Sequence, residues 1–234
     1  MADVLYEKPV FRIAGDRGKM VEYGDGIDPD LNRKVRAMAI ETDQESLPGV
    51  LEVIPTYRSI ILIYDPNSTS PRQLEHALLS IEARLSKIDI PSPETVRIPV
   101  CYEGAFGLDI EFVAHHNHLT VEDVVRIHSE KAYQIYMLGF TPGFPYLGGL
   151  PETLHTPRLK TPRILVPAGS VGIANAQTGI YSVDSPGGWQ IIGRTPLKLF
   201  DPARSNPFLF KAGDLLKFEP VSAKEYRALA HNAE

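Results

Sequence analysis

The sequence predicts two parts: an α+β domain at the N-terminus, then a mainly-β barrel. Three observations carry this. Residues 1–90 alternate short apolar runs with two helical periodicities, in the order β-β-α-β-β-α. A proline-rich connector, Ile90-Pro91-Ser92-Pro93-Glu94, then breaks the pattern and sets a domain boundary, 1–90 against 94–234. Beyond it come many short β-rich runs punctuated by Gly and Pro, with few helices, which favours a barrel over a parallel sheet.

The elements follow in order. Val10–Ile13 and Lys19–Tyr23 are strands around the Gly15-Asp16-Arg17-Gly18 turn. Asp28-Pro29 is an N-cap before proline at the first helical position, and Leu31, Val35, Met38 and Ala39 recur at helical spacing. Val50–Pro55 and Arg58–Tyr64 form a hairpin. Ser70-Pro71 opens a second helix, with Leu74, Ala77, Leu78, Ile81 and Leu85 on one face. After the connector, Val96–Cys101 is a strand, Gly104–Gly107 a turn and Asp109–His115 a short helix. Thr120 and Asp123 make a capping box for a helix through Val124, Val125, Ile127 and His128. Strands are expected at Tyr133–Gly139, Ile164–Val166, Val171–Ala174, Gly179–Val183 and Gln190–Arg194, with Leu197–Phe200 continuing the pattern. Leu215–Glu219 is the last strand and Ala223–Ala230 a terminal helix.

Composition bounds the function. The 234 residues carry 43% hydrophobic and 23% charged residues, globular values with material for a sizeable core. The net charge of −5 argues against non-specific nucleic-acid binding. One cysteine, Cys101, excludes an internal disulfide framework and a cysteine-cluster metal site. There is no apolar core of signal-peptide length at the start and no membrane-span run, so a soluble, cytoplasmic protein is expected.

One stretch stands apart. Gly139–Gly193 holds 10 of the 18 glycines and 7 of the 20 prolines in 55 residues, and the only tryptophan, Trp189. Apolar residues alternate with these breakers, which describes fixed loops between short buried strands rather than a disordered linker. From Gly139 to Phe200 five basic residues face two acidic ones, so the segment is basic within an acidic chain. That suits a small anionic ligand. Phe140–Gly149 reads either as a rigid loop packing aromatics or as a preformed pocket wall, with Phe140, Pro142, Gly143, Phe144 and Tyr146 as lining candidates. Thr156-Pro157-Arg158 and Thr161-Pro162-Arg163 place two arginine forks five residues apart. They are either surface charge or a grip on carboxylate or phosphate. Gly169, Ser170, Gly188, Trp189 and Arg194 complete the candidate anion site.

The histidines are less specific. His115, His116 and His118 crowd a loop without the carboxylate or thiol partners of a metal motif, so no metal site is expected. His128 is either a satisfied helix-flank histidine or an acid/base in a pocket. No Walker A loop, G-x-G-x-x-G turn or G-x-S-x-G elbow is present.

Three segments, YMLGFTPGFPYLGGLP (Tyr136–Pro151), TPRLKTPRILVPAGSVGIANAQTGIYSVDSPGGWQIIGRTPLKLFDP (Thr156–Pro202) and GDGIDPDLNRKV (Gly24–Val35), resemble the KipI/PxpB family. Its members are also known as 5-oxoprolinase B components or allophanate hydrolase subunit 1, and the likeness runs over residues 9–220. The resemblance implies an α+β domain followed by a cyclophilin-like barrel. It also implies one component of a complex, working with a KipA/PxpC-like C component and a LamB/YcsF-like A component. Together these are implied to open 5-oxoproline to glutamate at the expense of ATP. A lactam amide is a poor electrophile, and phosphorylating its oxygen creates a leaving group; Arg158, Arg163 and Arg194 would stabilise the phosphoryl charge. His116 and His128 stand where the family usually carries histidine, which makes them the implied acid/base candidates. ATP is the implied cosubstrate of the complex, with its contact to this chain left open. Some relatives instead imply a regulator that inhibits a sensor histidine kinase. A prolyl isomerase reading would rest on fold alone, which does not carry function.

Overall fold

The structure, a computed structural model, describes residues 5–85, 88 and 90–231. The chain divides into two compact units, 1–92 and 93–234.

In the first unit, β1 (Leu5–Ala14), β2 (Gly18–Gly24), β3 (Val50–Pro55) and β4 (Ser59–Tyr64) form one antiparallel sheet in the order β1-β2-β4-β3. Two helices, α1 (Pro29–Glu45) and α2 (Pro71–Glu82), pack with it. Both begin where local chemistry dictates. The Asp28 carboxylate accepts the Asp30 and Leu31 N–H groups at 2.9 and 3.0 Å. Ser70 and Gln73 close a reciprocal capping box, and proline follows each cap. Along β4, Ile60, Leu62 and Tyr64 are buried at period two, and Leu31, Val35, Met38, Leu74, Leu78 and Ile81 meet them from the helices.

The second unit is built on a seven-stranded mixed sheet. Its strands are β5 (Thr95–Val100), β6 (Ala132–Leu138), β7 (Pro145–Gly148), β9 (Ser170–Ala174), β10 (Gln177–Ile180), β12 (Gln190–Arg194) and β13 (Leu215–Pro220), in the order β12-β9-β10-β7-β6-β13-β5. Only the β13–β5 pair is parallel. The two ends of this order meet: Cys101, just past β5, exchanges both backbone hydrogen bonds with Arg194 at 2.9 Å. The sheet is thus a nearly closed barrel, filled by Ile98, Val100, Tyr133, Ile135, Leu147, Val171, Ile173, Ile180, Ile192, Leu216 and Phe218. Two helices, α3 (Ile110–His116) and α4 (Val121–Glu130), contribute Val113 and Val124 to that core, and α5 (Ala223–His231) follows β13. The Thr120–Asp123 capping box forms as expected. A separate two-stranded ribbon pairs β8 (Arg163–Val166) with β11 (Ser185–Gly187).

Three expectations for strands are corrected. Leu197–Phe200 forms no strand; Phe200 makes one isolated bridge to Phe208. The strand expected at Gly179–Val183 lies earlier, at Gln177–Ile180, because Ile180 is the last residue paired with β9. The Phe140–Gly149 segment, expected to be loop, contains β7, whose Pro145 and Gly148 disguise its alternation.

Candidate functional site

The Gly139–Gly193 stretch folds into a loop, a ribbon and a strand around one aromatic cluster. The β6–β7 hairpin closes through Gly139 N–H to the Phe144 carbonyl at 3.1 Å and Phe144 N–H to the Thr141 carbonyl at 3.1 Å. Its turn is tight enough to hold two residues in the left-handed region, Gly143 at φ 79° and Phe140 at φ 63°. Glycine adopts this freely, whereas a phenylalanine stores about 1 kcal/mol or more there. Such strain concentrates at functional sites.

Phe144 is the hub. Its ring meets Phe140, Tyr146, Tyr181 and Trp189 edge-on, with centroids 5.1–5.8 Å apart. These contacts, with Val166, Ala174 and Ile191, make a second core beneath the ribbon. Above it lies a pocket of about 630 Å³. Phe140, Phe144, Tyr146, Tyr181 and Trp189 form its aromatic wall, and Leu159, Pro162 and Pro186 complete the apolar side. Gly187 and Gly188 supply bare backbone, and Arg158 is the single charged side chain among the described lining residues. The Arg158 guanidinium lies over the Trp189 ring, 6.0 Å from its centroid, the outer reach of a cation–π contact. The segment carrying Arg158 is pinned by Leu159 N–H to the Gly188 carbonyl at 2.8 Å and by Gln190 Nε2 to the Pro157 carbonyl at 2.9 Å.

The two phenols respond to this setting. Burial pushes the Tyr181 hydroxyl up, while a backbone hydrogen bond from Trp189 and the charges of Arg158 and Arg163 pull against it. Burial likewise raises Tyr146, opposed by Arg158. Both therefore stay protonated and keep an O–H to donate.

The expected residues divide. Phe140, Phe144, Tyr146, Arg158, Gly188 and Trp189 come together at the pocket. Pro142 is exposed at the turn, and Gly143 packs under Phe200, so neither lines it. Gly169, Ser170 and Arg194 belong to the barrel seam: Arg194 Nε donates to the Ala168 carbonyl at 2.9 Å, and Gly169 N–H to the Tyr181 carbonyl at 2.7 Å. Gly169 and Ser170 thus hold the backbone of Tyr181, and Arg194 holds the Ala168 carbonyl.

Arg163 is committed elsewhere. Its Nη2 donates to Asp109 Oδ1 at 2.6 Å and its Nη1 to the Trp189 carbonyl at 3.2 Å. Asp109 Oδ2 accepts the Ile191 N–H at 2.6 Å. This half-buried knot ties the ribbon to β12 and the start of α3, and it neutralises Arg163. Arg163, expected either as surface charge or as a grip on an anion, is ion-paired with Asp109 in this structure.

Neither of the two expected acid/base histidines is among the described lining residues of the pocket. His116 is exposed on α3 with its ring stacked on Phe112, away from the pocket. His128 is fully buried in the barrel. Its Nδ1 lies 2.8 Å from the Tyr102 hydroxyl and its Nε2 2.9 Å from Thr178 Oγ1, and Thr178 donates to the Gly172 carbonyl at 3.1 Å. That order fixes the tautomer: Tyr102 donates to Nδ1, and Nε2–H donates to Thr178. Burial pushes the His128 pKa down to about 3, so the ring is neutral. Among the described residues, no group of three or more His, Cys, Asp or Glu side chains could hold a metal ion, and no helix is long and apolar enough to cross a membrane.

Sequence reasoning missed Asp109, Tyr181 and Gly187. Asp109 is 54 residues from its arginine, a separation no spacing rule connects. Tyr181 reads as one more apolar residue of a strand.

Residues 9–210 match the carboxyltransferase domain, subdomain C and D, family. The chain is 43% identical over 225 residues to the 5-oxoprolinase B component of Bacillus subtilis, spanning 92% of this chain and 93% of that one. It belongs to the family of 5-oxoprolinase B components. A second such protein, from Escherichia coli O157:H7, is 47% identical over 175 residues, 74% of this chain and 79% of the relative. Among solved structures, TTHA0988 superposes with a TM-score of 0.80 at 36% identity; the alignment covers 88% of this family member but 41% of that longer polypeptide. The Kluyveromyces lactis urea carboxylase shares the fold, with a TM-score of 0.78 at 21% identity over 100% of this chain and 24% of the other.

Proposed function

We propose that the chain is the B component of an ATP-dependent 5-oxoprolinase that converts 5-oxo-L-proline to L-glutamate together with partner chains. The observation that carries this is 43% identity, over nearly the whole length of both proteins, to a 5-oxoprolinase B component. The aromatic pocket with its single arginine fits the same reading, since the substrate is a small ring carboxylate. In this reading ATP is the cosubstrate of the complex. The partners are a KipA/PxpC-like C component and a LamB/YcsF-like A component, and the assembly works in the cytoplasm. The barrel is read as cyclophilin-like and residues 1–90 and 94–234 as separate domains.

The test is reconstitution. The chain is combined with its two partner components, and glutamate release from 5-oxoproline is followed with and without ATP. Activity that needs all three proteins and ATP is the expected result. A folded, assembled set that releases no glutamate overturns the reading and gives the kinase-regulator alternative its opening. In that event, suppression of autophosphorylation of a purified sensor kinase becomes the measurement.

A further inference from the structure

We infer that the pocket beside Trp189 takes the lactam itself, as a small ring monocarboxylate, and that the polyphosphate of the nucleotide is held outside this pocket. This rests on the 5-oxoprolinase reading above.

Charge decides between the two ligands. Arg158 is the one charged side chain among the described lining residues, and among those residues it is paired with no carboxylate. Arg163, the neighbouring arginine, is neutralised by Asp109 at 2.6 Å, and Arg194 is spent on the Ala168 carbonyl. One free guanidinium fork matches one carboxylate bidentately. A triphosphate carries several negative charges and is normally cradled by several cations, a metal and a run of backbone N–H groups. This wall offers none of that multiplicity.

Shape and hydrogen bonding agree. Phe140, Tyr146 and Trp189 line the pocket with aromatic surface against which a five-membered ring can pack. The Tyr181 hydroxyl, in the same lining, is held protonated by burial and can donate to a carbonyl oxygen such as the lactam's. Gly187 packs against that hydroxyl with no side chain of its own, since a Cβ there would stand 2.1 Å from it. The cavity of about 630 Å³ exceeds the ring. Phe140, one of its lining residues, is 66% exposed.

Trp189 is the sole tryptophan and lines the pocket, so its emission reports occupancy directly. Titrating the full chain with 5-oxoproline should shift that emission saturably. 2-Pyrrolidinone, which lacks the carboxylate, and ATP or adenosine at equal concentration should not. Arg158→Ala should weaken the 5-oxoproline response at least tenfold, with Arg158→Lys intermediate; Arg158 is exposed, so these variants retain the fold. In the assembled enzyme Arg158→Ala should raise KM for 5-oxoproline at least tenfold and leave KM for ATP unchanged. An unchanged KM for 5-oxoproline, a raised KM for ATP, or competition by adenosine overturns the inference while glutamate release still stands. Binding of 5-oxoproline to an assembly that releases no glutamate would instead leave the pocket assignment standing and overturn the functional reading.

Discussion

His128 should make the barrel acid-labile, and the size of the effect follows from its surroundings. The ring is fully buried, both nitrogens are engaged, and its pKa is pushed down to about 3 by burial. An unfolded histidine titrates near 6.5. Between these values the unfolded state binds the extra proton. Stability is therefore fully present above about pH 6.5 and falls as pH drops toward the folded value. The slope approaches about 1.4 kcal/mol per pH unit, so moving from pH 7.5 to pH 5 costs about 2 kcal/mol from this group alone. Urea unfolding followed at Trp189 reports the barrel unit specifically, since no other tryptophan exists. Other groups titrate over the same range, so the decisive quantity is the difference between wild type and His128→Gln. The variant loses stability at pH 7.5, because Tyr102 and Thr178 are left with poorer partners, but it should lose about 2 kcal/mol less than wild type on going to pH 5. Equal pH dependence in both proteins, or an NMR titration showing His128 protonating near pH 6, would refute the reasoning.

Three further outcomes are expected. Asp109→Ala should lower barrel stability by about 2–3 kcal/mol in the same unfolding assay, since it strands the Arg163 guanidinium and the Ile191 N–H, and Asp109→Asn should recover part of it. Phe140→Gly should leave the thermal midpoint unchanged or slightly higher, by relieving about 1 kcal/mol of left-handed strain, while raising KM for 5-oxoproline in the assembled enzyme. Gly187→Ala should displace the Tyr181 ring, lower stability by about 1–3 kcal/mol and shift Trp189 emission in the ligand-free chain.

The N-terminal elements were legible because their signals are local. Asp28-Pro29 and Ser70-Pro71 state where helices begin, and period-two burial in Ile60, Leu62 and Tyr64 marks a strand without outside help. The pocket was half legible for the same reason: Phe140, Phe144, Tyr146 and Trp189 advertise an aromatic cluster within one stretch. What sequence could not separate is Arg158 from Arg163. Both occupy the same Thr-Pro-Arg context, five residues apart. Their difference lies entirely in Asp109, which the barrel delivers from 54 residues away. His128 was ambiguous in the same sense, because Thr178 reaches it only once β10 is paired between β9 and β7.

The contrast between the two arginines also explains how a Gly- and Pro-rich stretch can present a fixed pocket. Ribbons of two strands are marginal alone. Here the ribbon is fastened at one side by Arg163 to Asp109 and the Trp189 carbonyl, and at the other by Ala168 N–H to Asp184 Oδ1 at 2.7 Å. Asp109 in turn grips β12 through the Ile191 N–H and its own N–H to the Ile191 carbonyl at 2.7 Å. The Trp189 backbone is thus clamped directly by one arginine while its ring carries the other. Committing Arg163 to the scaffold is what leaves Arg158 as a single, positioned charge. A second mobile guanidinium would broaden the site toward polyanions and away from the discrimination that one fork on a flat aromatic wall provides.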